Sequence, residues 1–239
     1  NMIRFGYRTA SVKDINKAAK ILLAKELGLD AVELALGEIK SVEEAKEWRE
    51  LSEGHGISIN SCGLGINLCN PAVEEISDKA IMSAIENSRI LGINVFFTRT
   101  FQPPIAMPQK QAWEYLTKKT KQYARLCSEY GIKFAIEIDP PCFVNTLERV
   151  VNLLDNVNDD NLYVNYDPTN MYVCGSNPIT AIKMLKDRIS GGHIKDGIYR
   201  TEYKWETNIG FGEMDYKEIF STLIEEGIDI TMYYEHLKS

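Results

Sequence analysis

Short β-rich runs alternate with longer helical patterns along this chain, repeating about once per 30 residues. The β-like runs are Ile3 to Tyr7, Asp30 to Leu36, Ile57 to Ser61, Asn94 to Thr98, Lys133 to Ile138, Leu162 to Tyr166, Gly191 to Ile194 and Ile230 to Tyr234. The helical patterns between them carry their own start and stop signals. Ser11-Val-Lys-Asp14 reads as a capping box ahead of Ile15, Ala18, Ala19, Leu22 and Leu23, and Ser41-Val-Glu-Glu44 opens a second helix to about Glu53. Further helices are expected near Val73 to Leu91, Gln109 to Tyr130, Thr146 to Leu154, Pro178 to Lys186 and Tyr216 to Glu226.

Eight strands and seven intervening helices predict an α/β fold, a parallel TIM (β/α)8 barrel, because eight strands can close their edges while helices cover the outside. An open doubly wound sheet shares the alternation but brings a phosphate or dinucleotide loop. Neither Gly-x-Gly-x-x-Gly nor Gly-x(4)-Gly-Lys-[Ser/Thr] follows a strand here, and Cys62-Gly-Leu-Gly-Ile-Asn67 lacks the third glycine. No linker or low-complexity segment divides residues 1–239, so one compact barrel domain is expected. The eighth strand ends a few residues before Ser239, which leaves no sequence for the final outer helix. Its apolar outer face then needs another cover, from the N-terminal part of the chain or from a second copy in a homo-oligomer.

Composition narrows the chemistry. With 27 Lys and Arg against 34 Asp and Glu, the chain offers no general attraction to nucleic acid or to an anionic membrane. Neither a signal peptide nor an 18-residue apolar span is expected, and five scattered cysteines without a Cys-x-x-Cys pair fit a reduced, cytoplasmic protein. The three histidines, His55, His193 and His236, exclude histidine-rich zinc clusters.

In such a barrel the C-terminal strand ends face one site. Four of them carry chemistry: Phe134-Ala-Ile-Glu-Ile-Asp139, Val164-Asn-Tyr-Asp-Pro-Thr-Asn170, Gly191-Gly-His-Ile-Lys-Asp196 and Met232-Tyr-Tyr-Glu-His236. Glu137, Asp167, His193 and Glu235 would form a mixed oxygen and nitrogen donor set suited to Mn2+, Mg2+ or Co2+, with Zn2+ also admissible. Beside a metal that fixes two vicinal substrate oxygens, Glu137 and Glu235 could serve as the acid/base pair. Lys195, Asn170 and Arg8 are candidates for substrate contact.

Each of these residues has a plainer reading. Glu137 could pair with an interior cation, Asp167 could serve only its Asp-Pro turn, and His193 could be a satisfied core imidazole. Glu235 could lie in a fraying tail, Lys195 could pair with Asp196, and Asn170 could cap a helix. Arg8, Glu33 and Arg99 could line the mouth of the barrel or be ordinary barrel-end ion pairs. His55 falls on the far side of the barrel, and His236 points away from the site. Tyr7, Phe101, Phe143, Tyr166 and Trp205 could shield the mouth, and Gly210-Phe-Gly-Glu-Met-Asp215 reads as a turn ending in a helix cap at Asp215.

The same segments resemble the xylose isomerase-like sugar isomerase/epimerase superfamily of TIM barrels, which includes tagatose epimerase-like, hydroxypyruvate isomerase-like and inosose dehydratase-like enzymes. The resemblance spans the chain and rests on Glu137, Asn145-Thr146, Asp167-Pro-Thr-Asn170, His193-Ile-Lys-Asp196, the Gly210 to Asp215 segment and Glu235. It implies that Glu137, Asp167, His193 and Glu235 bind metal and that the two glutamates transfer protons on a small sugar or related polyhydroxy carbonyl compound. The implied reaction is isomerisation or epimerisation through a cis-enediol(ate). Alternatives are a metal-assisted sugar or inosose dehydratase and a non-catalytic carbohydrate-binding barrel. Two departures stand out. Many relatives carry His where this chain has Asn170, and epimerase-like members carry an Arg that Arg200 matches one position late. Abasic-site endonucleases share the barrel but use a histidine-rich trinuclear zinc centre, which three histidines cannot reproduce.

Overall fold

The computed structural model describes residues 2–199 and 205–235. Eight parallel strands close into a barrel: β1 (Ile3–Arg8), β2 (Ala31–Ala35), β3 (Ser58–Gly63), β4 (Val95–Arg99), β5 (Lys133–Glu137), β6 (Leu162–Tyr166), β7 (Ile189–Ile194) and β10 (Ile230–Tyr234). Between β7 and β10 lies an antiparallel pair, β8 (Asp196–Ile198) and β9 (Trp205–Thr207). The helices are α1 (Lys17–Glu26), α2 (Val42–His55), α3 (Glu74–Leu91), α4 (Gln109–Ser128), α5 (Leu147–Val157), α6 (Pro168–Val173), α7 (Pro178–Leu185) and α8 (Tyr216–Glu225).

Barrel closure joins β1 to β10, with Phe5 opposite Met232 and Gly6 opposite Tyr233. The second pair shows how the interior is filled. A Cβ on Gly6 would lie 2.5 Å from the Ala31 carbonyl oxygen and 2.7 Å from the Tyr233 ring, so glycine on one strand makes room for the large ring on the next. Outside the barrel, apolar stripes of the helices cover the strands. In α5 the buried positions Val150, Leu153 and Val157 recur at helical spacing behind a Thr146 cap that accepts from Arg149 N.

One local expectation needs correction, and three short elements were not foreseen. Helix α1 begins at Lys17 under an Asn16 cap, and the Ser11 capping box does not form. Thr9–Ser11 instead makes a 3-10 turn whose Thr9 hydroxyl reaches Glu33 O and Glu38 Oε2 of the next unit, which delays the helix. Helix α6 and the β8–β9 pair were not foreseen, because six helical residues and two three-residue strands are too short to impose a period. Among the described residues no helix follows β10. The outer face there is met by Phe5, which stacks on Tyr234 at 6.3 Å and meets the edge of Phe220 from α8 at 5.5 Å. No helix of the described residues is long and apolar enough to cross a membrane.

Candidate metal centre

Side chains of successive strand residues alternate between the barrel interior and the helices, so residues two apart share a face. That places Asn165 and Asp167 together at the end of β6, and His193 and Lys195 together at the end of β7. Tyr7 and Tyr166 face the helices instead, their hydroxyls donating to Lys20 O and Pro178 O, and they do not shield the mouth. Phe97 of β4 lines it.

Glu137, Asp167, His193 and Glu235 converge as expected: one ligand atom from each lies within 4.8 Å of the other three. Glu137 is the last residue of β5. Its Oε2 stands 3.2 Å from His193 Nδ1 and accepts from Asn165 Nδ2 at 3.1 Å, and its Oε1 accepts from Asn170 Nδ2 at 3.0 Å. Asp167 is compatible with both of its readings. Oδ1 accepts from Asn170 N at 2.8 Å and caps α6, while buried Oδ2 makes no aligned hydrogen bond and faces the cluster. Glu235 is not a loose tail: its amide donates to Ile194 O at 2.9 Å and extends the β10–β7 ladder past the end of β10.

Cations bracket the carboxylates. Lys195 Nζ lies 2.8 Å from Asp167 Oδ2, at a poor hydrogen-bonding angle, and 3.0 Å from Glu235 Oε2. Arg8 pairs with Glu235 Oε1, and its Nε is 3.7 Å from Glu33 Oε1. Lys195 therefore does not pair with Asp196. That carboxylate accepts backbone amides from Gly197, Gly210, Gly212 and Met214 at 2.9 to 3.2 Å and holds the Gly210 to Asp215 turn in place. A Cβ on Gly212 would fall 2.0 Å from Asp196 Oδ1, which accounts for that glycine. Arg99 pairs with Asp139 at 2.7 Å on the cavity rim. Arg200 and His236 lie outside the described residues, as does the Trp205 side chain. His55 ends α2, bonded to Leu51 O.

Burial alone would raise the Glu137 carboxyl, but His193 outweighs it and leaves the group below its ordinary value. At Asp167 burial wins over Lys195, and the group is raised. Burial would lower His193, yet Glu137, Glu33 and Glu235 push it well above an ordinary histidine. Lys195 is likewise raised against its burial by Asp167 and Glu235. Imidazolium and ammonium thus balance the convergent carboxylates by the same charge logic a divalent ion would use. The hard oxygen and single nitrogen donors, with Asp167 Oδ2 left without an aligned donor, fit such an ion.

A cavity of about 810 Å³ opens above the cluster, a size suited to a small ligand. Glu137, Glu235, Lys195, Asn170 and Arg8 form its floor, and Phe97, Arg99, Tyr199 and Glu206 belong to its walls. Sequence reasoning missed Asn165, whose spacing two residues before Asp167 was the available signal. It also missed the Glu33 contact to His193, which joins strands far apart in the chain and leaves no local trace.

Comparison with known proteins agrees with this fold. The profile of the family described as xylose isomerase-like TIM barrel matches residues 21–238. The inosose dehydratase of Geobacillus kaustophilus (strain HTA426) is 25% identical over 128 residues, which is 47% of this chain and 42% of that protein, so the match spans less than half of the relative. Among solved structures, the D-psicose 3-epimerase of Clostridium cellulolyticum H10 superposes with a TM-score of 0.84 at 18% identity, over 98% of this chain and 84% of that one. The 3-keto-D-glucoside 4-epimerase of E. coli gives 0.83 at 16% identity, over 98% and 92%. At these identities the two structures speak for the fold.

Proposed function

This chain belongs to the xylose isomerase-like TIM barrel family, and from that premise we propose that it is a divalent-metal-dependent isomerase or epimerase of a small sugar or related polyhydroxy carbonyl compound. The observation that carries the reading is the convergence of Glu137, Asp167, His193 and Glu235 within 4.8 Å beneath an 810 Å³ cavity. These four residues would hold the ion, with Mn2+, Mg2+ or Co2+ best matched to the donors and Zn2+ also accommodated. When bound, the ion would supply a Lewis acid that polarises the carbonyl and its neighbouring hydroxyl.

The rest falls to the chain's own groups. Glu137 and Glu235 come from strands on different sides of the cluster, so one carboxylate oxygen can take the proton from the carbon beside the carbonyl while the electron pair moves into a cis-enediol(ate). The other carboxylic acid returns a proton. Return to the opposite face of the same carbon epimerises it, and return to the adjacent carbon, with the hydroxyl proton moved between oxygens, isomerises the sugar. Asn170, locked on Glu137 Oε1, orients that base and cannot itself shuttle a proton. Lys195 and Arg8 supply positive charge beside the developing enediolate oxygen.

A dehydratase is the second reading, favoured by the similarity to an inosose dehydratase. It would use the same base next to a β-hydroxyl leaving group. The test is turnover of an aldose, ketose and inosose panel with Mn2+ in deuterated water. Deuterium at the carbon beside the carbonyl with retained oxygen count supports the isomerase or epimerase, and loss of water supports the dehydratase. Glu137→Gln and Glu235→Gln should each lower turnover at least about 100-fold, with Mn2+ binding measured separately. A Gln variant that still turns over at the wild-type rate removes that residue from the chemistry.

A further inference from the structure

His193 has a carboxylate on each side. Its Nε2 lies 2.9 Å from Glu33 Oε1, and its Nδ1 faces Glu137 Oε2 at 3.2 Å and Glu235 Oε2 at 3.7 Å. Glu33 comes from β2, and on the shorter way round the barrel β1 and β10 stand between β2 and β7, so the contact crosses the interior. The Glu33 side chain is 0% exposed. A fully buried carboxylate needs partners that no water can replace. Ser61 Oγ donates to Oε2 at 2.8 Å, and Arg8 Nε, 3.7 Å from Oε1, makes no hydrogen bond. Among the described residues, the hydrogen bonds of the Glu33 carboxylate therefore run to Ser61 and His193.

We propose that Glu33 is a positioning residue that fixes the imidazole proton of His193 on Nε2 and so presents the Nδ1 lone pair to the divalent ion. The inference rests on the metal reading above. A neutral imidazole carries one N–H, and a carboxylate can only accept. Glu137 and Glu235, which face Nδ1, would be engaged by the ion, so Glu33 is the acceptor left for the single N–H and holds it on Nε2, which leaves Nδ1 unprotonated where Glu137, Asp167 and Glu235 converge. Ser61 sets the carboxylate's rotation, so the chain of orientation runs from β3 through β2 to β7. Carboxylates that orient a ligating imidazole in this way strengthen metal binding.

Glu33→Gln keeps the volume but replaces an obligate acceptor with an amide that can also donate to Nε2, so it no longer dictates the tautomer. We expect calorimetric Mn2+ affinity to fall about 10- to 100-fold in this variant. Long-range proton–nitrogen spectra of the Zn2+-saturated wild type should place the His193 proton on Nε2. Ser61→Ala retains the Glu33 charge and frees only its rotation. A smaller but measurable loss of Mn2+ affinity there separates positioning from simple electrostatics, and it decides the matter if Glu33→Gln fails to show cooperative unfolding. Wild-type Mn2+ affinity in both variants overturns the inference while leaving the metal reading standing, and a His193 proton on Nδ1 overturns it and takes His193 out of the ligand set. A wild-type protein that binds no Mn2+ removes the metal reading and this inference with it.

Discussion

Lys195 sets its ammonium 2.8 Å from Asp167 Oδ2 and 3.0 Å from Glu235 Oε2, two oxygens that the proposed ion would also use. A side chain in that place competes with a metal for the same negative charge. Replacing Lys195 by Met keeps the apolar stem and removes the competitor, so Mn2+ affinity should rise about tenfold, near 1.4 kcal/mol, while turnover on the responsive sugar falls. Calorimetry and steady-state rates on one preparation check both signs, and weaker Mn2+ binding in the variant would contradict the competition. At this scale the four convergent residues were legible in the sequence because each sits at a strand end beside a turn-forming Pro or Gly, or on an alternating run. Asp167 also shows why its plainer reading was not wrong: one oxygen caps α6 and the other faces the site. Glu33 read as a residue of the barrel mouth or a barrel-end ion pair and not as a partner of His193, since its partners are on β3 and β7 and no local pattern encodes a contact across the barrel.

Among the helices, α3 and α4 are joined by a polar clip. Lys119, with its side chain only 3% exposed, donates to Glu74 Oε1 at 2.8 Å and Asp78 Oδ1 at 2.7 Å, and Tyr115 and Tyr123 donate to the same two acids. Hydrogen bonds from Lys119 and Tyr115 lower Glu74. At Asp78 burial would raise the group, and the bonds from Lys119 and Tyr123 override it. Both folded values therefore lie below the unfolded ones near pH 4. The stability these acids contribute is present above that pH and is lost as pH falls through the folded values. Lys119→Met should flatten this loss, so the stability difference between wild type and variant shrinks from neutral pH toward about pH 3. Urea midpoints across that range measure it, and a difference independent of pH would dismiss the clip. Because the acids are partly exposed, each pair is worth about 1 kcal/mol or less. Strands and long helices were readable from apolar period and caps, with ends displaced by up to three residues, as at α5, which runs to Val157. The late start of α1 was not, because a tertiary bond from Thr9 to Glu38 outweighed the Ser11 capping signal.

On the scale of the whole molecule, the candidate centre ties together parts of the chain that only the closed barrel brings into contact. Its donors come from the ends of β5, β6, β7 and β10, while Arg8 of β1 and Glu33 of β2 support them from the remaining side. An unfolded chain has no such site, so an ion bound there stabilises only the folded state. At about a hundred times its Kd the gain is about 2.7 kcal/mol, which for a chain of this size raises Tm by about 5 to 10 °C. The gain should also depend on pH. His193 is raised well above its ordinary value by Glu137, Glu33 and Glu235 against its burial. Its imidazolium therefore stabilises the metal-free fold fully below the unfolded value near 6.5, and that contribution is lost as pH rises through the folded value. A ligating imidazole has already given up that proton, so the metal-loaded fold escapes the loss. The Tm difference between Mn2+-loaded and chelator-treated protein should consequently widen as pH rises above about 6.5. Thermal scans of the two forms across neutral pH test this directly: an absent difference would remove the centre, and one that narrows with rising pH would mean that His193 does not surrender its proton to the ion.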